Sequence, residues 1–323
     1  MSRSHFLPAY YVRAGSEVTF TASLPEIVER VRWRRDGREL KGAAGTVLTL
    51  ANVSTLATGT YSLAVCESGS EAVSEVATLT VVTESHFSEI SAQACAGNAA
   101  KALHLGFVLD GAGGTSVLVR GTSDAPAADF EVTLFGSKPI GQLPVAPGAS
   151  ETTLITDLET GRYSMIVAEK ADRPARSSAA VADLSRPGAL ANLVNASARG
   201  LVEPGCPLQI EFSLAGTTAG TILVRGVGPS LNSVFGLEQA LNRALLEVRD
   251  DQGELLASND GWRGEIDLAD AFQRCGAFGI AVDALDAAVV LTLQPGRYRV
   301  TLASGPPAEA GLGLIEIYEV PSQ

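Results

Sequence analysis

Residues Ile210 to Gly226 read Ile-Glu-Phe-Ser-Leu-Ala-Gly-Thr-Thr-Ala-Gly-Thr-Ile-Leu-Val-Arg-Gly. Apolar and polar residues alternate up to Leu214, a Gly/Thr stretch interrupts them, and an apolar run resumes at Ile222. Two short strands joined by a Gly-containing turn have this pattern, and it predicts a β-hairpin. The pattern also stands earlier in the chain: Leu105-Gly106-Phe107-Val108-Leu109, a Gly-rich break over 111–114, then Val117-Leu118-Val119-Arg120-Gly121. Phe107 matches Phe212, Leu109 matches Leu214, and 117–121 match 222–226. Most of the protein therefore consists of two versions of one β-unit.

The repeat continues downstream. Thr160-Gly161-Arg162-Tyr163 in the first version is echoed by Pro295-Gly296-Arg297-Tyr298 in the second, with Gly supplying a turn and Tyr opening a strand. The stretch between the hairpin and this element is about thirty residues longer in the second version, which places an insertion around 227–278, the natural place for a special function. Within it, 267–274 reads as a short helix with Asp267 at its N-terminus. Linkers at 83–87 and 185–188 divide the chain into residues 1–83, 84–186 and 187–323.

Composition bounds the function. The chain has 323 residues, 33 Gly and 15 Pro, with only 19% charged residues, which suits short strands and turns. A net charge of −12 excludes nucleic acid as a natural partner, because a phosphate binder needs a basic surface. No window reaches the roughly 20 apolar residues of a membrane span. Met1–Pro8 has no apolar signal core, which suits either a cytoplasmic start or a piece cut from a longer exported chain. The four cysteines, Cys66, Cys95, Cys206 and Cys275, lack metal-site spacing. They allow three pairings, Cys66 with Cys95 and Cys206 with Cys275 among the bridges considered, or they remain free thiols.

The first 83 residues form a series of alternating strands: 17–22, 31–35, 47–50, 59–65 and 77–82. Gly15-x-x-Val18-Thr19-Phe20, Trp33 followed by Asp36-Gly37, Leu48-x-Leu50-x-Asn52-Val53 and Gly59-x-Tyr61 resemble the immunoglobulin-like fold. The resemblance implies a Trp33 buried between sheets and a tyrosine corner at Tyr61. Ala22 and Leu63 stand where many such domains carry an inter-sheet disulfide, so the implied core closes by apolar packing. Arg30, Arg32, Arg34, Arg35 and Arg38 are the one basic cluster, read as a solvated strand face.

Leu246-Glu247-Val248, Ser258-Asn259-Asp260-Gly261-Trp262, Asp286-Ala287, Pro295-Gly296-x-Tyr298 and Glu316-Ile317-Tyr318-Glu319-Val320 resemble a β-sandwich module. Such modules sit near the C-terminal end of large secreted or surface proteins of Verrucomicrobia-like bacteria, and they are distantly similar to bacterial pre-peptidase C-terminal domains. The resemblance implies a non-catalytic extracellular accessory or scaffold module.

Few residues point to chemistry. Asp250, Asp251, Asn259 and Asp260 flank one predicted hairpin and are calcium candidates, with Asp283 and Asp286 able to approach across the sheet. No other cofactor is implied. Trp262, with Tyr298, is the candidate for a glycan-binding platform, weighed against plain packing of the indole over the end of the sandwich, which the scarcity of aromatic residues favours. His86 and His104 have no carboxylate or Cys at ligand spacing, and no His-Glu-x-x-His or Gly-x-Ser-x-Gly element occurs, so no catalytic residue is named.

The sequence thus predicts an all-β chain of three β-sandwich domains in tandem, one immunoglobulin-like and two related and jelly-roll-like. The function expected is structural or adhesive, at the cell surface or outside the cell, with other proteins, copies of itself or surface glycan as partners. Strand addition at sheet edges or the loops of the insertion would make the contacts. A subunit of a filament, virion or tail and an accessory module of a secreted hydrolase are the competing classes.

Overall fold

The computed structural model describes residues 9–22, 30–67, 70–83, 85–97, 99–124, 130–137, 139–146, 149–170, 175–184 and 191–321. The linker expected at 185–188 and position 84 of the first linker lie outside these residues. The chain is all-β, built of β-sandwiches, and forms two compact units, one over Met1–Glu84 with Gly216–Thr218 and one over Ser85–Ala215 and Ala219–Gln323.

The first unit carries β1 (Ala9–Arg13), β2 (Val18–Thr21), β3 (Arg30–Arg35), β4 (Arg38–Glu39), β5 (Val47–Leu50), β6 (Gly59–Glu67) and β7 (Ser70–Val82). One sheet has the order β1-β7-β6-β3-β4, and β2 pairs with β5 opposite it. Asp36 (φ 49°) and Gly37 (φ 78°) turn β3 into β4, as an Asp-Gly pair should. Trp33 is fully buried and its indole N–H donates to the Gly45 carbonyl at 3.0 Å. Phe20 packs 4.7 Å from Tyr61, whose hydroxyl donates to the Ala57 carbonyl four residues upstream. This is an immunoglobulin-like sandwich with a tyrosine corner. Leu63, fully buried beside Trp33, fills the place of a disulfide half.

In the second unit the first repeat supplies β8 (His86–Ala96), β9 (Leu103–Ser123), β10 (Phe130–Phe135), β11 (Pro139–Leu143), β12 (Glu151–Glu169) and β13 (Ala175–Asp183). The second supplies β14 (Ala191–Val202), β15 (Leu208–Ala215), β16 (Gly220–Val227), α1 (Pro229–Phe235), β17 (Ala244–Asp250) and β18 (Leu255–Asn259). It continues with α2 (Ile266–Arg274), β19 (Ala287–Leu293), β20 (Gly296–Ser304) and β21 (Gly311–Glu319).

The expected hairpins are not hairpins. β15 pairs with β20 and β8, while β16 pairs with β21 and β19, so the two arms never pair with each other. In the first repeat the arms are one bent strand, β9, whose N-terminal half pairs with β14 and whose C-terminal half pairs with β13. Gly111 (φ 123°) and Gly113 (φ 83°) make the bend in a region of backbone space that other residues rarely enter. Both elements are arches that carry the chain from one layer of the sandwich to the other. Phe212, Leu214, Ile222 and Val224 therefore belong to a single core shared by both layers and both repeats.

Each repeat contributes the same two half-sheets. The first gives β11-β10-β12-β9 and β8-β13-β9-β12, using opposite halves of its two long strands; the second gives β18-β17-β20-β15 and β14-β21-β16-β19. The half-sheets are joined crosswise, β9 to β14 in one layer and β15 to β8 in the other. The two joints are equivalent in detail. Phe107 faces Ala196 and Phe212 faces Ile90, and each ladder has an irregularity at the matching place, skipping Val194 in one and Ser88 in the other. Phe87 and Leu193, counterparts in the two repeats, pair with each other, as residues on a pseudo-two-fold axis must. The tyrosine corner recurs as well: Tyr163 donates to the Glu159 carbonyl and Tyr298 to that of Gln294, both at 2.7 Å.

The sequence left the cysteine pairing open, and neither bridge it considered forms. Cys95 on β8 is joined to Cys206 ahead of β15, tying one repeat to the other, while Cys66 and Cys275 are free thiols. Local spacing cannot show this pairing, because the crosswise joint is what brings β8 and β15 together.

Another joint contact is titratable. Arg199 on β14 lies 2.9 Å from Nε2 of its register partner His104 on β9. Burial, reinforced by the guanidinium charge, pulls the imidazole down to about 4. An unfolded chain takes up this proton near pH 6.5, whereas the folded chain resists it. Stability should therefore be lost as the pH falls from about 6.5 through about 4. The urea midpoint should fall more between pH 7.5 and 4.5 in the wild type than in His104→Gln; equal falls would contradict the assignment.

Candidate functional site

The extra sequence of the second repeat falls in two places, 228–243 and 260–286, on either side of β17 and β18, which have counterparts in β10 and β11. It forms a cover over the outer face of β16 and β21. α2 turns Leu268, Ala271 and Phe272 toward the sheet, and they pack with Trp262, Ile280, Leu223 and Val320 in a separate apolar cluster.

Arg225 on β16 lies under this cover and is fully buried. Its Nε and Nη2 donate to Oε2 of Glu316 on β21 at 2.9 and 2.6 Å, and its Nη1 donates to the Phe278 carbonyl at 2.6 Å. The Phe272 and Phe278 rings stand 4.7 and 4.2 Å from the guanidinium carbon. Tyr318 donates to the other Glu316 oxygen at 2.7 Å, and burial, then the neighbouring carboxylate, pushes its hydroxyl pKa up. A charge this deep is tolerable only because its donors are met.

Four of the calcium candidates, Asp250, Asn259, Asp260 and Asp286, have partners within the chain. Asp250 Oδ1 accepts the Glu254 N–H at 2.8 Å in the β17–β18 turn, where Asp251 is exposed. Asn259 Oδ1 accepts N–H groups of Gly261 and Ala288, at 3.0 and 3.2 Å. Asp260 pairs with Arg243 at 2.7 Å and Arg263 at 3.0 Å. Asp286, fully buried, accepts from the Gly228 and Ser230 N–H groups and the Ser230 hydroxyl, closing the start of α1, and Asp283 is exposed. Among the described residues no group of three His, Cys, Asp or Glu is gathered around one point.

Trp262 and Tyr298 are not brought together. Trp262 is 5% exposed, donates to the Ala281 carbonyl at 2.8 Å and packs on Phe272 in the cover. Tyr298 stacks on Phe212, against the main core. Of the β3 arginines, Arg32 pairs with Glu39 and Arg34 with Glu71, and Arg35 donates to the Leu56 carbonyl.

The feature that sequence reading missed lies in the first repeat. A trough of about 360 Å³ runs over the outer face of the C-terminal half of β9, β13, β8 and β15. Small side chains, Ser91, Ser178, Ala180 and Ala182, line it between Leu118 and Arg120 on one side and Gln209 and Glu211 on the other. Its one sequence signal is Ser178-Ala179-Ala180-Val181-Ala182, a strand whose outward positions carry almost no side chain.

No family model matches the chain, and no curated protein matches it. Among solved structures it is similar, at 25% identity over 23% of its length, to the N-terminal four Ig domains of Dscam1 isoform 4.44, with a TM-score of 0.21. It covers 19% of that chain, about a fifth of the relative's length. It is also similar, at 30% identity over 25% of its length and 92% of the other chain, to a chimeric titin Z1Z2 carrying a KLER peptide from decorin, with a TM-score of 0.21. The CD2-binding domain of CD58 aligns at 8% identity over 48% of this chain and 97% of that one, with a TM-score of 0.20.

The buried ion pair gives a direct test. Arg225→Ala and Glu316→Ala should each destabilise the second unit by about 3–5 kcal/mol, because each strands the opposite charge. The double variant should cost clearly less than the sum. Urea unfolding measures this cycle, and additive losses would show that the two side chains do not act as a pair.

Proposed function

We propose that the chain is a non-catalytic interaction protein, structural or adhesive, that works outside the cell or at its surface and recognises other proteins. The trough on the first repeat carries this reading. It is a concave surface of mixed polar and apolar lining on a hydrogen-bonded sheet, and its size sits at the lower end of the roughly 300–1,000 Å³ range of ligand sites. The Cys95–Cys206 bridge supports an oxidising compartment, where such bonds persist. The resemblance of Asn192–Val320 to modules of secreted bacterial proteins agrees with that compartment.

The buried aromatic residues of the insertion are turned inward and cover the sheet beneath them, which leaves the trough as the binding surface proposed. Strand addition is also disfavoured at β11, which opens at Pro139, a residue with no N–H to offer an incoming strand.

Beads coated with the chain should adhere to intact cells of the organism that carries its gene. Protease treatment of those cells should remove adhesion, and periodate treatment should leave it. The opposite pattern would replace the protein partner by a glycan, and adhesion to neither would overturn the reading.

A further inference from the structure

The pseudo-two-fold axis places the trough opposite a surface whose occupant is known. Strand register makes the comparison: Arg120 on β9 pairs with Ala180 on β13, and its counterpart Arg225 on β16 pairs with Glu316 on β21. Ala182 likewise stands where the second repeat has Tyr318, and Leu118 where it has Leu223. The surface that α2 and its aromatic neighbours cover in the second repeat is thus the surface left open as a trough in the first.

Charge follows the same logic. Arg225 has its carboxylate and two rings. Arg120 is exposed, has no ion pair or hydrogen bond among the described residues, and faces a methyl group where Glu316 would be. The acidic walls do not answer it, because Glu211 is held by Arg299 at 2.6 Å and Glu89 by Arg297 at 3.5 Å. Arg120 is therefore the uncompensated charge of the trough, and its small floor leaves room for an incoming group.

We infer that the trough is a docking site for an acidic, aromatic polypeptide segment of a partner protein, which brings to Arg120 the carboxylate and ring that Arg225 finds within the chain. This rests on the protein-binding function proposed above and names the site. A peptide is favoured over an acidic glycan because the equivalent surface is covered by polypeptide, with phenylalanine rings on the guanidinium.

The probe is a labelled synthetic peptide of residues 265–278 with C275S, which carries Glu265, Asp267, Asp270, Phe272 and Phe278. Fluorescence anisotropy with the full chain should show saturable binding, weakened about tenfold or more by Arg120→Ala through loss of a charged hydrogen bond. Ala180→Glu should weaken it as much, by pairing with Arg120 as Glu316 does with Arg225. Unchanged melting of both variants would show that they fold. Absence of saturable binding, or equal binding by both variants and wild type, overturns the proposal. Arg120-dependent binding of oligogalacturonate without peptide binding would assign the trough to acidic glycan instead. In the bead assay, protease-sensitive adhesion that ignores both substitutions removes the docking site and keeps the protein-binding function. Adhesion lost to periodate removes both.

Discussion

The second unit depends on its crosswise joint. Taken alone, each repeat would present β8 or β14 and the β9 or β15 arm as open edges, with unpaired N–H and C=O groups. Pairing β9 with β14 and β15 with β8 satisfies both sets at once and makes one apolar core out of two. Once the edges are shared, the rest is constrained. The matching irregularities at Ser88 and Val194 keep the apolar residues of both joints facing inward, and Phe87 must meet Leu193. The Cys95–Cys206 bond then ties covalently what the ladders already hold.

Within this symmetric frame the outer faces differ. The second repeat has gained 228–243 and 260–286, and with them the means to bury an arginine. Burial of Arg225 requires three things together: a carboxylate in the right register, a carbonyl for the remaining donors, and a face of apolar side chains to exclude water. Glu316 on the sheet supplies the first, and the cover supplies the others. In the first repeat none is present, and short side chains at 178, 180 and 182 leave a hollow in their place.

How much of this was legible follows from the range of each interaction. The repeat, the tyrosine corner at Tyr61, the Asp-Gly turn and a helix over 267–274, which begins one residue earlier in the structure, are local patterns and could be read directly, whereas Gly161-x-Tyr163, expected to open a strand after a turn, lies inside the continuous β12. The arches could not. Apolar alternation broken by glycines is the same whether two arms pair with each other or with other strands, and backbone ladders leave no mark on side-chain order. The cysteine pairing and the joint are longer-range still. Trp262 is ambiguous in the sequence because its neighbours, Asn259-Asp260-Gly261, spell an exposed turn while the indole itself suits packing over the sandwich. A signal for the packed position lies just beyond, in Leu268, Ala271 and Phe272, spaced for one buried helical face that needs a sheet to cover.

The Arg-Gly pair that ends the shared strand in each repeat separates what the scaffold needs from what it does not. Glycine faces the core in both. A Cβ on Gly121 would come within 2.5 Å of Val132, and one on Gly226 within 3.0 Å of Leu302 and 3.2 Å of Leu246, so packing accounts for the residue twice. Arginine points the other way. In the second repeat its place is explained by Glu316 and the aromatic cover. In the first, no contact within the described chain explains it, and a serine or threonine would suit an open strand face equally well. A cation beside a hollow lined by small side chains, at the position where its twin holds a carboxylate, has its physical rationale in what comes to it from outside.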